Sequence, residues 1–293
     1  MTMDVLDYLQ SGDRAGGAAI TPEDIARDGI LGRIGTLETR IARSQSEIEA
    51  AQSVRYRVFV EEMQAQLPAE AMRCRRDFDK WDDICDHLLV LDRKIEGDTE
   101  DQIVATYRLL RHEVALAHGG FYSDSEYRTD QLVARHPDLR FMELGRSCVL
   151  PEYRSKRTVE LLWQGNWAYA LKHHIGAMFG CASFHGAIPE AHAMALSFLY
   201  HNARATGEWA VEALPGIKVD MNMMAAEEVS GRKALTALPP LIKGYLRLGA
   251  MVGEGAVVDH AFNTTDVLVI LPIAAISDRY LNYYGADAGR FAS

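Results

Sequence analysis

The sequence is poor in the features that mark disulfides, metal sites and membrane spans. It has four cysteines in 293 residues, none of them in a C-x-x-C pair and none at a ligand-like spacing from a histidine. Such cysteines are usually reduced and packed as small apolar groups, so we expect no disulfide and no metal site. The longest apolar run, Val267 to Ile276, contains Pro272 and is too short to cross a bilayer.

The chain also lacks an excess of positive charge. Its formal net charge is −10, which argues against general attraction to nucleic acid or to an anionic membrane. An acidic partner would therefore need a local basic patch. The first residues show no basic segment followed by an apolar one, so we expect no secretion signal and a cytoplasmic protein.

What is present is the composition of a large folded core. The sequence is 48% hydrophobic and 25% charged, as in globular domains. Residues 1–33 contain several glycines and little periodicity, which predicts a loosely structured N-terminal extension. Residues 34–293 show mixed strand and helix patterns, which predict a single α/β domain built on a mixed sheet. The predicted elements are a helix capped at Ser44, strands at His87–Asp92, Ile103–Leu110, Phe141–Leu150, Ile175–Phe184 and Thr265–Ile273, and helices at Glu126–Ala134, Thr158–His174, Pro240–Leu246 and Ile276–Tyr284.

The strand from Phe141 carries the main functional signal. It holds Glu143 and Arg146, and Pro151 ends it just before a basic turn. Each of these features alone is most often a surface ion pair or a solvated turn. Together they place a carboxylate close to a basic helix N-terminus, where an anionic acyl carrier could bind on one side and a nucleophile could lose its proton on the other. The basic residues of the turn are Arg154, Lys156 and Arg157.

An acidic run between Asp77 and Asp86 allows two interpretations. Five acids in ten residues usually form a solvated loop. Here Phe78, Trp81 and Ile84 alternate with the acids, which favours a folded loop over a pocket that receives a cation. The sequence leaves both interpretations open.

Several stretches together resemble the L-ornithine N-α-acyltransferases, members of the GNAT superfamily that use 3-hydroxyacyl–acyl carrier protein and begin ornithine-lipid synthesis. The resemblance spans roughly 36–284, and the motifs are specific as a set although each alone is weak. They lie at Arg55–Glu62, Phe78–Val90, Tyr107–Leu110, Glu143–Val149, Phe179–Phe184, Leu238–Ala250 and Phe262–Val267.

The resemblance implies a GNAT-like mixed sheet that is flanked by helices and split around an acyl-pantetheine cleft. The acyl-homoserine-lactone synthases are similar over residues 55–150, and their site pattern implies roles for seven residues of this chain. These are Arg55, Phe59, Asp79, Asp82, Arg108, Glu143 and Arg146.

One departure from the acetyl-CoA-binding GNAT enzymes is informative. Their loop after the central strand carries two glycines, whereas this chain has Arg157 and Val159 at those positions. Glycines allow backbone N–H groups to approach a diphosphate, so their absence disfavours tight binding of free coenzyme A. Basic side chains suit the phosphate of phosphopantetheine and the acidic surface of a carrier protein. We therefore expect no bound cofactor, with 4′-phosphopantetheine arriving on acyl carrier protein.

The resemblance also implies a reaction in which ornithine becomes lyso-ornithine lipid. Glu143 is the candidate base for the α-amine, and Arg146 either orients it or forms a structural ion pair. Backbone N–H groups near Cys148, Val149 and Leu150 are expected to polarise the thioester carbonyl. The remaining expectations are that Arg108, with Arg55, binds the ornithine carboxylate and that Asp79 or Asp82 binds the side-chain ammonium.

Three alternatives stay open at this point. The first is an acyl-homoserine-lactone synthase, which shares the motifs of residues 55–150. The second is a hemolysin-like, lipid-associated protein without catalysis, which the negative net charge disfavours. The third is acylation of a different amine. A transient peripheral association with the inner membrane is also left open, because the expected product is a lipid.

Overall fold

A nine-stranded sheet organises the structure, a computed structural model that describes residues 29–276. The order of the strands is β1-β2-β3-β4-β5-β6-β9-β7, and β8 pairs with β9 beside β7. All pairs are antiparallel except β5 with β6. The strands are β1 (Ile30–Ile34), β2 (Leu37–Ile41), β3 (Asp86–Asp92), β4 (Ile103–Arg111), β5 (Phe141–Val149), β6 (Ala177–His185), β7 (Met251–Val252), β8 (Val257–Asp259) and β9 (Thr264–Pro272).

Helices flank this sheet, and their ends follow local sequence signals. The Ser44 hydroxyl accepts the Glu47 N–H at 3.2 Å at the start of α1, which confirms the predicted cap. A π-helical turn, Arg57–Glu62, continues α1. Ser155 caps α5 in the same way. The helices are α1 (Gln45–Tyr56), α2 (Ala69–Cys74), α3 (His112–Ala117), α4 (Thr129–Ala134), α5 (Lys156–Lys172), α6 (Ala193–Ala203), α7 (Gly231–Ala237) and α8 (Pro240–Arg247).

The parallel pair β5–β6 diverges halfway along. Its register covers only Phe141–Glu143 against Ala177–Phe179. At the next position the two backbones approach closely, because a Cβ on Gly180 would overlap the carbonyl oxygen of Leu144. Beyond that point the strands separate and leave a gap in the middle of the sheet.

A β-bulge lies on the other side of β5. Thr106 pairs with Cys148 and Arg108 pairs with Gly145, so Tyr107 alone faces Arg146 and Ser147. Arg146 has a φ of 51°, a left-handed conformation that bulges tolerate. The extra residue bends β5 at the level where the gap opens.

Side chains of the central strands alternate between the two faces of the sheet. We call face A the side that carries Met142, Leu144 and Ala182. Face B is the side that carries Glu143 and Cys181. Buried apolar residues cover both faces, and those on face B include Phe141, Phe179, Leu268 and Ile270.

The predicted strands and the helices at Ser44, Thr158 and Pro240 are confirmed within a few residues. Two boundaries were wrong. Strand β1 begins at Ile30, inside the predicted extension, because it pairs with β2. The helix expected from Glu126 begins at Thr129 and follows a 3₁₀ turn at Tyr122–Ser125. Residues 1–28 and nearly all of the predicted helix Ile276–Tyr284 lie outside the described residues.

In the described part of the chain, residues 29–276, every helix is too short or too polar to cross a bilayer.

Candidate active site

A cavity of about 800 Å³ occupies the gap between β5 and β6. Because its lining residues come from both faces of the sheet, the cavity passes through the sheet from one side to the other. The half on face A is lined largely by apolar side chains of β4, β5, α5 and α8, among them Tyr107, Leu144, Leu162, Trp163 and Leu241. The half on face B carries most of the charged groups, and apolar residues such as Phe59, Trp81 and Phe262 lie beside them. Its polar members include Arg108, Tyr122, Ser123, Glu126, Glu143 and Asp266.

Glu143 lies in the wall of the face B half, next in the chain to Leu144 of the face A half. Its side chain is buried, and the residue is 4% exposed. The N–H groups of Tyr122 and Ser123 donate to its carboxylate at 2.7 and 2.9 Å, and the Ser123 hydroxyl donates to it as well. Burial raises the pKa of Glu143 to about 7, and these hydrogen bonds oppose the rise. A carboxylate with such a pKa is suited to accept a proton near neutral pH.

The structure does not pair Arg146 with Glu143. The Arg146 guanidinium donates to Asp77 at 3.2 Å and to Asp79 at 3.3 Å. It also lies over the ring of Phe262, 4.6 Å from the centroid. The expected orienting role was therefore wrong, because two nearer carboxylates hold the guanidinium, and the 3₁₀ turn at Tyr122–Ser125 positions Glu143 instead.

Arg55 and Asp82 form a buried structural pair. The Arg55 side chain is fully buried, donates to Asp77 at 2.8 Å, and donates to both Asp82 oxygens at 2.8 and 2.9 Å. Neither residue has a free group to offer a substrate. The expectation that Arg55 binds a carboxylate and that Asp82 binds an ammonium is corrected accordingly.

Asp79 is also engaged by the protein. It accepts from Arg108 at 2.6 Å and from Arg146, so two guanidinium groups already balance its charge. Of the two interpretations of the acidic run, the folded loop is confirmed. The cations that this loop receives are arginines of the chain itself.

Arg108 and Phe59 line the cavity as the resemblance implied. Arg108 is only 3% exposed, and its guanidinium lies 5.5 Å from the centroid of the Tyr122 ring. Phe59 packs edge-on against Phe262. Both side chains are therefore placed to contact a molecule in the cavity.

Only some of the residues expected to bind phosphopantetheine line the cavity. Cys148, Val149, Arg154 and Lys156 line the cavity. The Leu150 N–H donates to the Val104 carbonyl at 3.0 Å, so it is not available to a thioester. Arg154 binds Glu62 through two hydrogen bonds of 2.7 and 2.6 Å. Arg157 is exposed on the first turn of α5.

The buried thiols are not suited to carry an acyl group covalently. Burial raises the pKa of Cys148 to about 12 and raises the pKa of Cys181 well above its ordinary value. The nucleophilic thiolate is therefore scarce at neutral pH.

Sequence reasoning missed a group of three carboxylates, Glu126, Asp259 and Asp266. They line the face B half of the cavity, and one oxygen from each lies within 4.8 Å of the others. Such a group could hold a cation, so the prediction of no metal site stays untested. Register brings Asp259 close to Asp266, because Val257 pairs with Asp266 and Asp259 pairs with Thr264 between β8 and β9. Glu126 joins them from the turn after Ser125, where the Cys181 thiol of β6 donates to it at 3.1 Å. No spacing in the sequence indicates this proximity.

Comparisons with known proteins decide the family. Residues 54–164 match the family model described as an acetyltransferase (GNAT) domain. The L-ornithine N(alpha)-acyltransferase of Agrobacterium fabrum is 70% identical over 263 residues, which cover 90% of this chain and 90% of that protein. The chain belongs to the L-ornithine N(alpha)-acyltransferase family. The family member of Rhizobium meliloti is 65% identical over 100% of this chain and 99% of its own length.

Membership in this family makes the protein an acyltransferase with a GNAT-like fold. A third family member, from Brucella abortus, is 58% identical over 89% of this chain. The cavity that passes through the split sheet is therefore the candidate site of acyl transfer.

Proposed function

We propose that the protein transfers a 3-hydroxyacyl group from acyl carrier protein to the α-amine of L-ornithine, giving lyso-ornithine lipid. The observation that carries the proposal is a buried carboxylate, Glu143, in the wall of a cavity whose lining is apolar on face A and carries charged groups on face B. The names of the relatives, L-ornithine N(alpha)-acyltransferases, support ornithine as the acceptor. Because the product carries a fatty chain, the proposal includes a transient association with the inner membrane surface.

The two halves of the cavity suit the two substrates. The apolar half on face A suits an acyl chain, and its mouth beside Arg154, Ser155 and Lys156 suits the phosphate of phosphopantetheine. The polar half on face B suits an amino acid. Arg108 lines that half, and its charge acts on Glu143. It donates to Asp79 through Nη1 at 2.6 Å, and its guanidinium is the proposed partner of the ornithine carboxylate.

The reaction then follows from these positions. Glu143 takes a proton from the α-ammonium, and the neutral amine attacks the thioester carbonyl. Backbone N–H groups of the bulged part of β5, near Cys148 and Val149, stabilise the negative charge on the carbonyl oxygen. The new C–N bond forms and the C–S bond breaks. The second amine proton passes to the leaving sulfur, so that phosphopantetheine leaves as a thiol.

Mass spectrometry of the products tests this function. The purified protein is mixed with 3-hydroxyacyl–acyl carrier protein or the matching acyl-coenzyme A, and with ornithine, lysine or S-adenosylmethionine. We expect an amide on the α-nitrogen of ornithine, formed faster from the carrier protein. A lactone from S-adenosylmethionine, or transfer to none of the amines, would contradict the proposal.

Reversal of a basic charge tests docking of the carrier protein. Arg157→Glu is expected to raise KM for acyl carrier protein about tenfold while leaving kcat nearly unchanged, because it introduces repulsion toward an acidic partner. Arg157 is a better choice than Arg154, because replacing Arg154 would also break its ion pair with Glu62.

Arg140→Glu is the matched control. Arg140 is exposed and immediately precedes β5, so it lies about 25–30 Å from the basic turn at the other end of that strand. The Arg140→Glu variant should have the same KM for acyl carrier protein as the unaltered protein. Equal KM values for both variants would rule out docking at Arg157.

A further inference from the structure

The polar half of the cavity ends on the three carboxylates Glu126, Asp259 and Asp266. Their nearest oxygens lie within 4.8 Å of one another. Asp259 and Asp266 project from face B, since Asp266 is in register with Ser183 of β6 and Asp259 lies at the end of β8. Glu126 approaches the same face from the turn after Ser125 and contacts Cys181 there. They therefore face the same space as Glu143.

One oxygen of this group has no hydrogen-bond donor among the described residues. Asp266 is 7% exposed, and within residues 29–276 its Oδ1 atom has no hydrogen-bond donor. A buried carboxylate oxygen without a donor costs free energy. An orphaned oxygen in a cavity wall indicates that the donor arrives with a ligand.

The donors that do reach the group are neutral. The Cys181 thiol donates to Glu126 at 3.1 Å, and the N–H groups of Ala261 and Phe262 donate to Asp259 at 2.8 and 3.0 Å. The hydroxyls of Ser183 and Thr264 and, to a smaller extent, the Arg146 guanidinium oppose the rise in the pKa of Asp266. Arg146 itself donates its hydrogen bonds to Asp77 and Asp79. The acids of the Asp77–Asp82 loop are thus neutralised by arginine, whereas this group is left for a cation from outside.

The separation between Glu143 and the three carboxylates suits a short diamine. The Ser123 hydroxyl donates to Glu143 and lies 3.6 Å from the Cys181 sulfur, which in turn lies 3.1 Å from Glu126. The two nitrogens of ornithine are separated by five bonds, about 6 Å at full extension. An amino acid with its α-amine at Glu143 could therefore place its side-chain ammonium at the three carboxylates.

We propose that Glu126, Asp259 and Asp266 bind the side-chain ammonium of the acceptor and so select a basic amino acid. This inference rests on the proposed function. An ammonium group has three N–H donors, which can reach one oxygen of each carboxylate. This assignment replaces the expectation that Asp79 or Asp82 binds the ammonium, since arginines hold the oxygens of both residues.

Burial, together with the neighbouring acids, raises the pKa of Glu126 to about 7 and the pKa of Asp266 to about 6. An incoming ammonium group would favour the ionised form of both. Binding of the ammonium should therefore weaken as the pH falls through about 7 to 6.

The test compares ornithine with L-norvaline, which has the same carbon chain without the terminal amine. The unaltered protein is expected to favour ornithine in kcat/KM. Asp266→Asn should raise KM for ornithine about 10- to 100-fold, the loss expected for a charge-assisted hydrogen bond, while the constants for norvaline change little. Glu126→Gln should give the same pattern, and it guards against a folding defect in the first variant.

Asp138→Asn, on an exposed loop, is the matched control and should keep the preference. Equal losses with both amino acids, or an unchanged preference, would overturn the inference. So would turnover that is abolished by a chelator and restored by Mg²⁺, since that would make the group a metal site. Calorimetric binding of ornithine and norvaline needs no acyl donor, so it tests the ammonium site separately even if acyl transfer to ornithine fails.

Discussion

Replacing Glu143 by glutamine is expected to lower kcat by about 10²- to 10⁴-fold, the usual effect of removing a general base. Glutamine has nearly the same shape and can still accept a hydrogen bond from Ser123. The ornithine α-amine would remain protonated, because the variant has no carboxylate beside it. Steady-state rates with acyl carrier protein and ornithine measure the change, and KM for ornithine should change much less than kcat.

Glu126→Gln provides the comparison within the same cavity. It is expected to act on KM for ornithine, whereas Glu143→Gln acts on kcat. If Glu143→Gln retained near-normal kcat with an intact fold, another group would have to accept the proton. Glu126, whose pKa is also raised to about 7, would then be the next candidate.

Loss of the buried guanidinium is expected to have the largest effect on stability. Arg55→Met should lower the free energy of unfolding by about 3–5 kcal/mol, because breaking a buried ion pair leaves uncompensated charge. Asp77 and Asp82 would both lose their main partner. Denaturant unfolding, monitored by circular dichroism, measures the shift.

The loss of unfolding free energy in Arg55→Met is expected to become smaller as the pH falls. Burial alone would raise the pKa of Asp82, but Arg55 and Arg108 outweigh it and hold the pKa below its ordinary value of 3.8. A depressed carboxyl pKa contributes stability above the unfolded pKa and loses it as the pH falls. The difference between Arg55→Met and the unaltered protein should therefore shrink below about pH 4, where Asp82 becomes protonated in the variant.

Arg57→Met is the control for Arg55→Met. Arg57 is half exposed and pairs with the exposed Glu152 at 3.2 Å, and such surface pairs contribute about 0–1 kcal/mol. Similar losses in the two variants would show that the Arg55 network is not a special source of stability.

Local patterns were sufficient to place the central elements of the fold. The alternation in Phe141–Val149 and the proline that follows predicted β5, and the cap at Ser44 predicted α1. Glu143 could be singled out because it sits on a strand that leads into a basic helix start. These signals are short-range, so each one is contained within about ten residues.

Long-range pairings were beyond the reach of the sequence. Arg146 has Glu143 nearby in the chain, yet it pairs with Asp77, 69 residues away. Glu126 and Asp266 come together because the turn that holds Glu126 packs against Cys181 of β6, and β6 pairs with β9, which holds Asp266. Charge and spacing alone could not show which acids arginine neutralises and which it leaves to a ligand.

The pH dependence of kcat tests the central role of Glu143 most directly. At saturating ornithine the ammonium keeps the carboxylates around Asp266 ionised, so kcat should report the base. We expect kcat to rise with pH through about 7, following the pKa of Glu143, and we expect Glu143→Gln to lose this rise. The same rise near pH 7 in the variant would contradict the account.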